Sequence, residues 1–385
     1  RYPPWAATIT LCSSQNAHTG ATAGFWLAST NSNASTLEEM DVQSTRCVNV
    51  GSYGNDNTAV QNAISALKEI GGGILYFPLG DYTLEEKITF QNLPVWIQGG
   101  HPDTKLIWDC DDGGIHFTGA VNRPILEISD IQICTSRVKG GTGIRGDWGL
   151  ATKGKEQACI LENMQVRSVD APESQSGEDR YKFSWTTGIH LSNVCNVTMS
   201  NVSVKGGKPA NGTPYKGTAG IVVDGERSGT NGFLWSNLFV STYYDDIILR
   251  RTAEGPYLTN FEITEVLRGI TLDHVSTARI CNGHIDFLRR AAVISSSHGV
   301  HWTNTYLLKG IPEPFTLDPS EPTTHNVRFV QIEDSDTVTF IGNEFHLIYQ
   351  PDHEDAPLAI EVWEKPGMRE KITIMGNTCW GLRRK

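Results

Sequence analysis

The stretch "VHWTNTYLL", residues 300–308, decides the fold. Val300, Trp302 and Leu307 read as one apolar face of a strand, yet Asn304 interrupts them. A buried amide is costly unless its hydrogen bonds are met. The interruption recurs. "ILEISDIQI", "ACILENMQV", "NVTMSNVSV", "GFLWSNLFV", "PYLTNFEI", "ARICNGHI", "TFIGNEFHL" and "ITIMGNTCW" share the pattern, with Asp130, Asn163, Asn201, Asn237, Asn260, Asn282, Asn343 and Asn377 in the place of Asn304. "VWIQGG" puts Gly99 there. From Asn237 to Asn304 the spacings are 23, 22 and 22 residues.

A period near 22 suits a coil of three short strands and three turns, because helical repeats need about thirty residues or more. Successive coils of a parallel β-helix lie about 4.8 Å apart. Stacked asparagines then bond one another as a ladder. A second strand class falls between ladder units: "GIHF", "GIHL", "GIVV", "DIIL", "GITL" and "AAVI", with Ile247, Leu249, Ile270, Leu272, Ala292 and Ile294 expected inside. The expected fold is therefore all-β, a parallel β-helix of about 22-residue coils with an Asn ladder.

A solenoid needs its open end covered. "NTAVQNAISALKEIGGG", from Asn57, predicts a capping helix over about 57–70, with Val60, Ile64 and Leu67 on one face and Gly71 as its stop. Residues 1–48 read as an irregular arm and 49–385 as the β-helix.

These residues carry a resemblance. "NDNTAVQNAISALKEIGGGILYFPLGDYTL" resembles the opening of the pectate-lyase-like right-handed β-helix superfamily, and the overall texture is similar to bacteriophage tailspikes and polysaccharide depolymerases. The resemblance implies a right-handed coil, a homotrimer, an extracellular or virion setting and a bacterial surface polysaccharide as partner. It implies cleavage of that polymer by glycosidic hydrolysis. The alternatives are a polysaccharide lyase, a non-catalytic receptor-binding or adhesion protein, and a structural virion component.

Composition sets bounds. A net charge of −11 argues against nucleic acid or an anionic membrane as partner. No run of eighteen apolar residues occurs. Eight cysteines show neither CxxC nor zinc spacing, so neither metal nor cofactor is expected, although Cys12 and Cys47 are placed to pair.

Insertions at 135–157, 167–187, 205–219, 309–328 and 348–358 are expected at one corner of the coil, walling a groove over the short coils. In that groove "STYYDD", "TEVLRG" and "DFLRRA" offer Asp245, Asp246, Glu265 and Asp286 as catalytic carboxylates. Tyr243, Tyr244, Arg268, Arg289 and Arg290 are expected to bind sugar. Trp148 and Trp185 are expected as exposed loop platforms. The competing reading is a structural ladder of ion pairs. A second outward stack, Asp224, Arg250, Asp273 and Ser295, is read mainly as such a ladder. Polygalacturonase signatures do not transfer, since Asp245 and His298 stand more than two coils apart.

Overall fold

The structure is a computed structural model that describes residues 46–119, 125–149, 158–169, 183–207, 217–225, 230–309, 328–347, 358–363 and 371–380. Strands pair in parallel from Cys47–Asn49 onward, each with the strand one coil later. The expected arm lies outside the described residues up to 45, and β structure begins at Cys47.

Each coil contributes to three sheets. Sheet A precedes the asparagine corner, as in Val95–Gly99, Ile125–Ser129 and Val338–Ile341. Sheet B follows it, as in Lys105–Trp108, Gln132–Thr135 and Glu344–Leu347. Sheet C holds the second strand class: Gly113–Thr118, Gly141–Asp147, Thr187–Ser192, Gly217–Asp224, Tyr243–Arg250 and Arg328–Glu333. In the short coils Pro256–Asp273 and Arg279–Ser295 run through all three without a break. Alternation places Ile247, Leu249, Ile270, Leu272, Ala292 and Ile294 inside, all buried. Each of the Ile and Leu side chains among them contributes about 1.5–3 kcal/mol on burial. The stacked interior is thus a continuous column of apolar side chains.

The asparagine corner works differently from the expected buried ladder. Asp130, Asn163, Asn201, Asn237, Asn260, Asn282 and Asn304 all take a left-handed backbone, with φ between 49° and 55°. Asparagine tolerates that conformation better than most residues. Their side chains face outward, Asn304 among them. The repeated asparagine therefore marks a backbone turn. Asn237 does donate to Asn201 (3.0 Å), and Asn201 to Asn163 (2.9 Å). Asn343 and Asn377 stand one residue late, because Thr303 pairs with Ile341 and Tyr306 with Glu344. Gly342 and Gly376 take the left-handed corner instead, at φ 68° and 61°. Asn343 alone fits the buried amide. It accepts from the Thr305 amide (3.0 Å) and donates to Trp302 O (3.0 Å) and Asn377 Oδ1 (3.1 Å).

Helix α1, Asn57–Glu69, starts at Asp56, whose side chain accepts from the Ala59 amide at 2.7 Å. Val60, Ile64 and Leu67 are buried, and the helix packs on Cys47–Asn49 and Gly73–Phe77. Gly71, at φ 80°, ends it, with the Gly72 amide on Leu67 O.

The expected insertion 135–157 contains a strand that periodicity missed. "GIRG" belongs to Gly141–Asp147, in register with Ile115 and Ile189. Segments 170–182, 208–216, 310–327 and 348–357 join sheet B to sheet C in sequence, whereas 120–124, 150–157, 226–229 and 364–370 join sheet C to sheet A. The insertions therefore fall at two corners rather than one. These segments themselves lie outside the described residues.

Candidate functional site

The corner between sheets B and C departs from the regular coil. Ile263 pairs with Ile285, Val266 with Phe287 and Arg268 with Arg290, so the register shifts twice within a few residues. Such irregularities re-aim side chains. Glu265, at φ 55°, points to solvent. Asp286, opposite on the next coil, is half-buried. Burial pushes the Asp286 carboxyl above its ordinary range; His284 pulls it down, Glu265 pushes it up and Lys309 pulls it down. Lys309 is held by a 2.5 Å bond from Nζ to Leu288 O. One carboxyl that favours its proton thus stands beside an exposed one, a distribution that suits acid–base work.

Beside this pair runs a row of charge. Asp245 is buried and accepts two hydrogen bonds from Arg268, that from Nη2 at 2.8 Å. The Arg268 guanidinium also lies 5.2 Å from the centre of the half-buried Tyr244 ring. Arg289 and Arg290 follow, both half-buried. Asp245 is therefore held as a partner of Arg268, a binding and orienting arrangement rather than a free catalytic acid.

Sheet C offers an outer floor between two charged edges. Val222, Ile248, Thr271 and Val293 share one register position on successive coils, Val222 buried and the other three half-buried. Along the far edge Asp224 binds His190 Nε2 (3.0 Å) and Arg250 Nε (2.8 Å). Burial works to raise the Asp224 carboxyl, yet His190 and Arg250 together hold it below its ordinary range. Asp273 contacts His274 Nδ1 (2.7 Å) and accepts from Ser295 (3.1 Å). Asp224, Arg250 and Asp273 share one register position, but only Asp224 and Arg250 form an ion pair, which His190 joins unforeseen.

Four expected site residues prove internal. Tyr243 is fully buried, because a Cβ at Gly217 would sit 2.4 Å from its ring and one at Gly188 3.2 Å from its hydroxyl. The glycines make room for an aromatic plug. Trp148 is buried against Phe117, with ring centres 5.1 Å apart. Trp185 packs edge-on to Trp108 at 5.9 Å and donates to Ile133 O. None of the three can meet a polymer. Asp246 is also wholly internal, and among the described residues its carboxylate oxygens meet no side-chain hydrogen-bond donor. Burial pushes its carboxyl far up, against a pull from the Tyr243 amide. It is removed as a catalytic candidate, since substrate cannot reach it. His284, Lys309, Arg328 and Glu361, absent from the expected site, adjoin it. Register alone points to His284, Lys309 and Arg328, each on a coil next to an expected residue, while Glu361 lies one coil further on.

Among the described residues no group of three or more His, Cys, Asp or Glu side chains is placed to hold a metal ion. No helix among them is long and apolar enough to cross a membrane.

No protein-family model and no curated protein matches the chain. Solved structures do. A DFA-IIIase from Arthrobacter chlorophenolicus A6, in complex with GF2, matches 84% of this chain and 92% of its own, with TM-score 0.53 and 12% identity. ORF18 of Geobacillus virus E2 matches at TM-score 0.40 and 13% identity, over 88% of this chain. The match spans 66% of the viral chain, just under two thirds of its length. The catalytic unit of a GH87 α-1,3-glucanase from Streptomyces thermodiastaticus strain HF3-3 matches at TM-score 0.42 and 13% identity, over 88% of this chain and 70% of its own. The chain is a parallel β-helix, and its match to the DFA-IIIase is a likeness of fold.

Proposed function

We propose that the protein binds a polysaccharide across the outer face of sheet C and hydrolyses it at the corner that holds Asp286 and Glu265. The observation that carries this reading is the unequal carboxyl pair, Asp286 half-buried and raised, Glu265 exposed. Asp286 gives its proton to the glycosidic oxygen as the bond breaks. Glu265 either attacks the sugar or activates water from the other side. Retention of anomeric configuration corresponds to carboxyls about 5–5.5 Å apart and inversion to about 6.5–9.5 Å. Tyr244, Arg268 and Arg289 position the chain. The half-buried floor of Ile248, Thr271 and Val293 covers the apolar faces of sugar rings.

The scaffold fits this use. Helix α1 closes the N-terminal end, the right-handed coil keeps the site rigid, and the asparagine corner fixes the coil register. The resemblance of the overall sequence texture to tailspike-type proteins supports a bacterial surface polymer as partner, a homotrimer, and an extracellular or virion setting. The fold shared with the DFA-IIIase supports the scaffold, not the chemistry.

The test is incubation with capsular, O-antigen and plant polysaccharides, followed by assay of reducing ends and of unsaturated sugar. New reducing ends without unsaturation are expected. Unsaturated product would replace hydrolysis by elimination. Binding without cleavage would leave a receptor-binding protein.

A further inference from the structure

Arg268, Arg290 and Arg328 occupy one outward position on three successive coils. Arg268 and Arg290 are direct strand partners, and Arg328 stands two residues before Val330, the partner of Ala292. Coils about 4.8 Å apart bring these like charges close. The fold neutralises the outer two. Asp245 binds Arg268 from the coil before, and Glu361 binds Arg328 at 2.8 Å from the coil after. Arg290, between them, has no such partner. Among the described residues no carboxylate lies within ion-pair distance of it, and its buried Nε has no hydrogen-bond partner. Burial first, then Arg268, Arg289 and Arg328, hold its guanidinium below the ordinary arginine range, while Glu333 works the other way. A half-buried cation among cations is unfavourable for folding alone. A planar guanidinium matches a carboxylate with two parallel hydrogen bonds.

We infer that Arg290 is a subsite for the carboxylate of an acidic sugar residue, so that the polymer is anionic. This rests on the polysaccharide reading above. The bound carboxylate completes an alternation of charge that Asp245 and Glu361 leave open at one coil.

The test is saturation-transfer NMR of the full chain with D-glucuronate and with D-glucose. D-Glucuronate is expected to bind and D-glucose to bind far more weakly. Arg290→Gln is expected to lose D-glucuronate affinity by about tenfold or more. Its unfolding midpoint is expected to stay level or rise, because repulsion is relieved. Arg290→Lys keeps the charge without the fork, and serves if the first variant fails to fold; it is expected to bind more weakly than the unaltered chain. Equal binding by Arg290→Gln, or D-glucose as strong as D-glucuronate, overturns the subsite. Cleavage of a neutral glucan with no D-glucuronate response rejects the subsite and keeps the hydrolase. D-Glucuronate binding that Arg290→Gln abolishes, with no polymer cleaved, keeps the subsite and rejects the hydrolase.

Discussion

Two corners border sheet B, and they obey different rules. At the corner with sheet A, seven successive coils use Asp or Asn in one backbone conformation. At the corner with sheet C the residues change from coil to coil: Thr242, then Glu265, then the shifted register at Asp286. The first corner solves one problem of geometry repeatedly, so one residue type serves throughout. The second carries unlike charges, half-buried cations and a raised carboxyl, which no repeat requires. Repetition marks what the coil needs to exist. Departure from repetition marks where it acts.

Substitution should separate the corners. Asp286→Asn and Glu265→Gln are expected to cut polymer cleavage by about 10²–10⁴-fold each while leaving the unfolding free energy within about 0.5 kcal/mol of wild type. Steady-state reducing-end assays and urea melts read the two effects. A variant that melts early and keeps its turnover would make this corner structural.

At the other corner the order reverses. Asn201 bonds both Asn163 and Asn237, so Asn201→Ala loses these bonds and the tolerance of a left-handed backbone. A destabilisation of about 2–3 kcal/mol is expected. Asn304→Ala removes only the backbone tolerance and should cost about 1–2 kcal/mol. Asn304→Gly should be nearly neutral, since glycine takes positive φ freely. Equal losses for Asn201→Ala and Asn304→Ala would show that the side-chain bonds add nothing.

Asp246 sharpens the contrast from inside. Its carboxyl is raised in the folded chain by burial. The sign follows from linkage. Its contribution is fully present below the unfolded value of about 4 and is lost as pH rises toward the folded value, by up to about 1.4 kcal/mol per pH unit. Asp246→Asn removes that loss. Relative to the variant, wild type should therefore weaken between pH 4 and the folded value, as denaturant midpoints across pH would show. Parallel curves would mean that water or a partner satisfies the carboxyl.

Much of the fold was legible in sequence, because period 22 and strand alternation are one-dimensional signals. The apolar column and the neighbouring places of Glu265 and Asp286 were read directly from them, and helix α1 from its own helical face and glycine stop. The missed elements needed three dimensions. "GIRG" lacked the spacing of its neighbours, so it looked like loop. Gly342 shares the turn preference of asparagine, which hid the one-residue slip at Asn343. Tyr243, Trp148 and Trp185 stand next to loops and polar residues, yet each fills space that glycines or neighbouring rings leave in the core. Asp246 follows Asp245 in the chain, and both are buried, but Asp245 is paired with Arg268 whereas Asp246 lies wholly in the interior. Adjacent letters can meet different partners, and composition around them does not say which.

The most direct measurement is the pH profile of polymer cleavage by wild type and Asp286→Asn, once a cleaved polymer is in hand. Wild type is expected to lose activity as pH rises through a value above the ordinary carboxylate range, because the protonated acid disappears. In Asp286→Asn that alkaline limb should vanish along with most of the rate. An unchanged rate and an unchanged limb in the variant would contradict the assignment of Asp286 as the acid and place the chemistry elsewhere on the coil.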